Sequence, residues 1–177
     1  MPISKRAADL ITLSRALLFP ILIWLGYFQG ADALPLVMWL VLYNWSSDSL
    51  DGPLSRRSPV KIHTWLGDND LIIDMLFTTG LLGYLIGAGF VAWQVAAIYL
   101  LIWIAVFWKF GLQHALGLFY QAPIYGWFVY VTVRDFPQVS IWIFVWMIAA
   151  LIVTWQKLPK VLLPKFISDI KEIFSKD

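Results

Sequence analysis

The sequence predicts an all-α fold: a polytopic membrane protein with six transmembrane helices and an interfacial amphipathic C-terminal helix. Three observations predict it. First, 60% of the 177 residues are hydrophobic and only 14% are charged, against about 45–50% and about 25% in soluble domains. With a mean hydropathy of +0.75, a soluble fold would expose large apolar patches. Second, six stretches approach the roughly 20 apolar residues needed to cross a hydrocarbon core of about 30 Å. Third, a six-helix arrangement puts nearly all Lys and Arg on one side of the membrane. This composition excludes a soluble enzyme, a disordered tail and a nucleic-acid-binding module. The chain has no Cys, so disulfides, thiolate metal sites and Cys nucleophiles are excluded too. Its 11 Trp, 7 Tyr and 12 Phe fit aromatic belts at two membrane surfaces.

The predicted spans are Leu10–Phe28, Leu34–Asp51, Leu71–Gly89, Ala92–Phe110, Leu116–Val133 and Gln138–Trp155. They must be helices, because a segment in lipid has to satisfy its backbone internally, and runs such as Val95–Phe107 lack the alternation of a barrel strand. The first span carries Ser14 and Arg15, runs long and lacks a small-residue cleavage site, so it reads as retained and not as a signal peptide. Arg15 lies about one turn inside it; it could help form a site, but the favoured expectation is that it snorkels to the interface. Ser46 and Ser47 in the second span read as helix-packing residues. Gly80, Gly83 and Gly87 make small-x-x-small spacings in the third, the pattern of a contact between helices or between copies. Lys109 and Arg134 read as interfacial anchors.

Twelve of the thirteen Lys and Arg, all but Arg134, fall on one side. That side is cytoplasmic by the positive-inside rule, and both termini lie there. The expected division is a six-helix transmembrane domain over residues 1–157 and a cytoplasmic tail over 158–177. In the tail, Leu163, Phe166, Ile167, Ile170 and Phe174 recur at helical spacing between charged residues. Such a helix lies on the membrane surface, where its lysines favour anionic lipid.

Carboxylates at membrane depth cost roughly 3 kcal/mol or more each, so the acidic residues are the place to look for chemistry. Five of the eleven fall within residues 48–74: Asp48, Asp51, Asp68, Asp70 and Asp74. Asp48 and Asp51 are spaced i, i+3, and Asp70 and Asp74 i, i+4, so each pair shares one helix face. Asn44 lies one turn before Asp48 on the same face. Asp68, in Gly67-Asp68-Asn69, reads as a turn residue or an N-cap. The two carboxylate pairs sit on helices that are antiparallel neighbours and can converge at the cytoplasmic interface. Four carboxylates in a small volume require protonation or cations. Two hard divalent ions, Mg²⁺ or Mn²⁺, would balance them. A two-metal site suits phosphoryl transfer. His63 and His114 have no second His at i+3 or i+4, which argues against zinc.

The run Asp48-Ser-Leu-Asp51-Gly52-Pro-Leu-Ser55-Arg56, with Gly67 and then Asp70-Leu-Ile-Ile-Asp74, resembles the signature of the CDP-alcohol phosphatidyltransferases. That signature reads D-x-x-D-G-x-x-A-R and then G-x-x-x-D-x-x-x-D. The stretch from Asp9 through Thr12 and Arg15 to Pro20 is similar to the family's first helix, which often reads N-x-x-T-x-x-R-x-x-x-x-P. Ser55 stands at the family's Ala, and Gly67 precedes Asp70 by three residues where the family has four. The basic stretch often found before helix five in the glycerol-phosphate and cardiolipin branches is absent.

The resemblance implies roles by position. Asp48, Asp51, Asp70 and Asp74 would hold two divalent ions, with Asp74 also the general base on the acceptor hydroxyl. Gly52, Ser55, Arg56 and Gly67 would line the nucleotide. Arg57 and Lys61 are candidates for binding an acceptor phosphate, although the positive-inside pattern also accounts for them. The reaction would transfer a substituted phosphate from a CDP-linked lipid donor, CDP-diacylglycerol in the first instance, to a small alcohol or alcohol phosphate, releasing CMP. The resemblance further implies a homodimer in contact with membrane lipids, in the bacterial inner membrane, with no nucleic-acid partner. Two other readings stay open: a non-catalytic relative that binds nucleotide, metal or a partner, and a small transporter whose acidic cluster is an ion site.

Overall fold

The computed structural model describes the backbone of residues 3–56 and 70–155, and the side chains of residues 12–47, 70–153 and 155. It is all-helical, with no strand among the described residues. The helices are α1 (Ile3–Phe28), α2 (Leu34–Arg56), α3 (Asp70–Gly87), α4 (Trp93–Phe110), α5 (His114–Asp135) and α6 (Pro137–Thr154), with a short 3₁₀ turn, Gly30–Ala33, between α1 and α2. The amphipathic tail expected over 158–177 lies outside the described residues.

Each helix overlies one predicted span. The largest difference at a C-terminus is in α2, expected to end at Asp51 but continuing to Arg56. Gly52 and Pro53 therefore do not stop it. Pro at an interior position forfeits one backbone hydrogen bond, and apolar helices tolerate it where neighbours compensate. Pro20 and Pro123 likewise sit inside α1 and α5. Gly89 and Gly111 follow α3 and α4 with φ of 79° and 76°, the left-handed conformation that ends a helix.

Among the described residues two helices, α3 and α4, are long and apolar enough to cross a membrane. Thr12–Phe28 within α1 and Pro137–Val153 within α6 are shorter apolar helical segments. α2 and α5 are long enough, but their polar residues lower their hydropathy. In α2 these include Asn44, Ser46, Ser47, Asp48 and Asp51, and in α5 His114, Gln121, Arg134 and Asp135.

The chain divides into two compact units, Met1–Trp93 and Gln94–Asp177. In the first, α1 packs most extensively on α3 and also on α2. The buried stripe of α1 runs Thr12, Arg15, Leu18, Leu22 and Leu25, the helical spacing of a single face. It meets Ile73, Phe77, Leu81, Tyr84 and Leu85, which are among the buried residues of α3.

Glycines set the closeness of that contact. A Cβ on Gly26 would lie 2.7 Å from the Cα of Tyr84, and one on Gly80 would lie 2.9 Å from the Cα of Phe19. One on Gly87 would lie 2.6 Å from the carbonyl carbon of Gly26. Small residues let helix backbones approach in this way, so the glycine spacing of α3 serves a contact within the chain. The pairings Phe19–Gly80, Ile23–Gly83 and Gly26–Gly87 rise together in number. α1 and α3 are therefore parallel.

In the second unit α5 packs on α6. The rings of Tyr99, Trp103 and Phe107 from α4 surround Tyr120 of α5 at centroid distances of 5.8, 5.8 and 6.0 Å. The Tyr99 hydroxyl donates a hydrogen bond to the Tyr120 carbonyl. Elsewhere α4 presents a continuous apolar exterior that includes Ile98, Leu101, Ile102, Ile104 and Trp108.

Candidate functional site: a buried arginine between two aspartates

The site begins with Asp70, the first residue of α3, and Asp74 one turn later. Both lie on the side of α3 that meets α1. Between them stands Arg15 of α1, fully buried at 0% exposure. Its Nη1 donates to Asp70 Oδ1 at 3.2 Å, and its Nη2 is ion-paired with Asp74 Oδ1. Its Nε donates to Asn44 Oδ1 of α2 at 3.1 Å. One guanidinium thus joins three helices. The five N–H groups of arginine in a planar fork suit this geometry.

The snorkelling expected of Arg15 does not occur. Its helical position, three residues from both buried Thr12 and buried Leu18, points it along the α1 stripe that meets α3. Two carboxylates there compensate the buried charge. The carboxylates differ from Arg15 in accessibility: the side chains of Asp70 and Asp74 are 43% and 20% exposed. A buried cation holds them from one side while part of each remains open.

Small polar contacts surround this centre. Ser14 and Tyr43 share a hydrogen bond of 2.8 Å between α1 and α2. Ser46 donates to the Leu42 carbonyl and Ser47 to the Asn44 carbonyl. Thr78 donates to the carbonyl of Asp74 at 2.8 Å. Such back-bonding satisfies hydroxyls inside an apolar bundle.

Of the residues read from the sequence, the structure brings together Asp70 and Asp74, with Asn44 reached through Arg15. Asp48, Asp51, Gly52, Ser55 and Arg56 belong to α2, and their side chains lie outside the described residues. Arg57, Lys61, His63, Gly67 and Asp68 lie outside the described residues altogether. Among the described residues no three or more His, Asp or Glu form a metal-holding group; the two described members of the predicted four are a pair. His114 begins α5.

Sequence reasoning offered Arg15 as a member of the site but ranked it behind snorkelling. The signal was present: an ionisable residue inside an apolar helix usually faces the bundle interior and a partner. At the far end of α5, Arg134 donates to both carboxylate oxygens of Asp135, at 2.6 and 2.8 Å. These bonds hold the exposed Asp135 carboxyl below the usual carboxylate range. Arg134 also lies over the Tyr130 ring, 5.8 Å from its centroid.

Comparison with family models, with curated proteins and with solved structures found no match for this chain.

Proposed function

We propose that this chain is a six-helix integral membrane enzyme of the CDP-alcohol phosphatidyltransferase type. It transfers a substituted phosphate from a CDP-linked lipid, in the first instance CDP-diacylglycerol, to an alcohol and releases CMP. The observation that carries the reading is the pair Asp70 and Asp74, one turn apart and partly open, at the start of an apolar helix. In the sequence they complete the pattern begun by Asp48, Asp51, Gly52 and Arg56 on α2.

In the proposed chemistry Asp74 accepts the proton of the acceptor hydroxyl, which must come within hydrogen-bond reach. The alcohol oxygen bonds to the phosphorus nearest the lipid. The bond from that phosphorus to the bridging oxygen breaks, and CMP leaves with the electron pair. Asp70 and Asp74 are hard oxygen donors and fit a hard divalent cation, with Asp48 and Asp51 as the further ligands of the pattern. Bound Mg²⁺ or Mn²⁺ would supply neutralisation of the diphosphate and of the departing CMP.

Several observations support the membrane placement. The six α-helices among the described residues have 18 to 26 residues, within or near the length that spans a bilayer. α1 and α3 are parallel, as alternating spans require. Lys109 lies over the Phe110 ring and Arg134 over that of Tyr130, amphipathic pairs suited to the two interfaces. In this reading both termini and the site face the cytoplasm.

The deciding experiment is CMP release by purified protein from CDP-diacylglycerol with a panel of alcohols and alcohol phosphates. Release is expected only with Mg²⁺ or Mn²⁺; its absence across the panel sinks the enzyme reading. Asp74→Asn is expected to retain nucleotide binding while turnover collapses, and unchanged turnover would remove it as the base.

One observation favours a second reading. Arg15 already takes one oxygen from each of Asp70 and Asp74, so the chain itself supplies part of the neutralising charge. A non-catalytic relative would then bind CDP in a metal-dependent way without turnover, which the same assay distinguishes.

A further inference from the structure

We propose that Arg15 is a positioning residue that sets the two α3 carboxylates for cation binding. The inference rests on the functional reading above. Arg15 is fully buried while Asp70 and Asp74 are partly open, so the guanidinium cannot reach a substrate and acts through the aspartates. It takes Oδ1 of each, which constrains both side-chain rotamers at once. Two carboxylates against one guanidinium leave a net charge of −1, so the pair still attracts a cation. Asn44 Oδ1 accepts from Nε and fixes the plane of the fork. One guanidinium shared between two carboxylates one turn apart on α3 fixes each relative to the other. Partners of this kind, one shell behind the ligands, commonly govern metal affinity.

The experiment uses the full chain in nanodiscs of phosphatidylcholine and phosphatidylglycerol, comparing wild type, Arg15→Lys and Arg15→Gln. Helical content is read by circular dichroism, Mn²⁺ binding by electron paramagnetic resonance, and CMP release by steady-state kinetics. Lysine keeps the charge but loses the planar fork. Arg15→Lys is therefore expected to stay helical and to lose roughly 10- to 100-fold in Mn²⁺ affinity. Its kcat should fall while KM for the donor stays within about twofold. Arg15→Gln is expected to lose more.

Wild-type affinity and kcat in Arg15→Lys overturn the inference, because any cation would then suffice. Tighter Mn²⁺ binding in Arg15→Gln also overturns it, by making Arg15 a competitor for the site. Loss of helical content in both variants overturns it by making the role purely structural. A wild type that neither binds Mn²⁺ nor releases CMP sinks the functional reading and the inference together. An active wild type with an indifferent Arg15→Lys sinks the inference alone.

Discussion

Arg15 shows what a single residue can decide inside an apolar bundle. Removing one member of a buried ion pair leaves the other charge uncompensated, at about 3–5 kcal/mol. Asp70 and Asp74 are partly exposed, so Arg15→Met is expected to lower thermal stability by less than that, about 1–3 kcal/mol, measured by unfolding in detergent. The double variant Arg15→Met with Asp74→Asn should recover part of the loss, since the stranded carboxylate is then neutral. Full additivity of the two single losses would argue that the pair is not coupled. From the sequence, Arg15 is visible as a charge one turn inside a span. What a linear reading does not reveal is that Asp70, 55 positions later, comes to lie beside it. The spacing within one helix was readable because geometry fixes it; the partner on another helix is set by packing.

At the scale of elements, the α1–α3 contact depends on where a Cβ would fall. At Gly26 the obstruction is backbone of Tyr84, and at Gly87 it is backbone of Gly26 and Tyr27. Backbone cannot rotate away, so Gly26→Ala should cost about 1–3 kcal/mol. At Gly83 the nearest atom is Cγ1 of Ile23, 2.7 Å away, on a β-branched side chain that is stiff at χ1 in a helix, so alanine there should also cost about 1–3 kcal/mol. Gly126 on α5 has nothing within 4 Å, so Gly126→Ala should gain about 0.5–1 kcal/mol of helix propensity. Thermal unfolding of the three variants checks the ranking. Most helix limits were legible because apolar runs and glycine stops mark them. The extension of α2 to Arg56 was not, because Gly52-Pro53 is a strong local stop signal that the surrounding helix overrides. The glycines of α3 pointed equally to a neighbouring helix or a second copy; only the fold selects α1.

For the whole molecule, the proposed topology gives a direct test. The chain has no Cys, so single cysteines can be introduced without removing any. Ser58→Cys and Lys160→Cys are expected to react with a membrane-impermeant maleimide only from the cytoplasmic side. Asp32→Cys and Gln138→Cys are expected to react only from the opposite side. Any reversal between Ser58→Cys and Asp32→Cys would break the alternating six-span arrangement. The all-helical architecture was legible in the composition and the length of the apolar runs. Among the described residues hydropathy singles out two helices, and α2 and α5 carry polar residues that lower theirs.

The partnership of Arg15 with α3 also has a consequence for how the chain is made. Synthesis proceeds from the N-terminus at about 5–20 residues per second. α1 therefore emerges with a guanidinium in its interior, while Asp70 follows 55 residues later, an interval of roughly 3–11 s. Asn44, 29 residues on, is the earlier of the two to appear. In the proposed membrane topology, α1 either waits at the surface or shelters in the insertion machinery until α3 arrives, because a lone charge in lipid is costly. Nascent chains stopped after α2 should thus leave α1 more easily extracted by alkali than chains extended through Gly87. The order of birth of the helices, and not only their final packing, is written into the distance between one arginine and its aspartates.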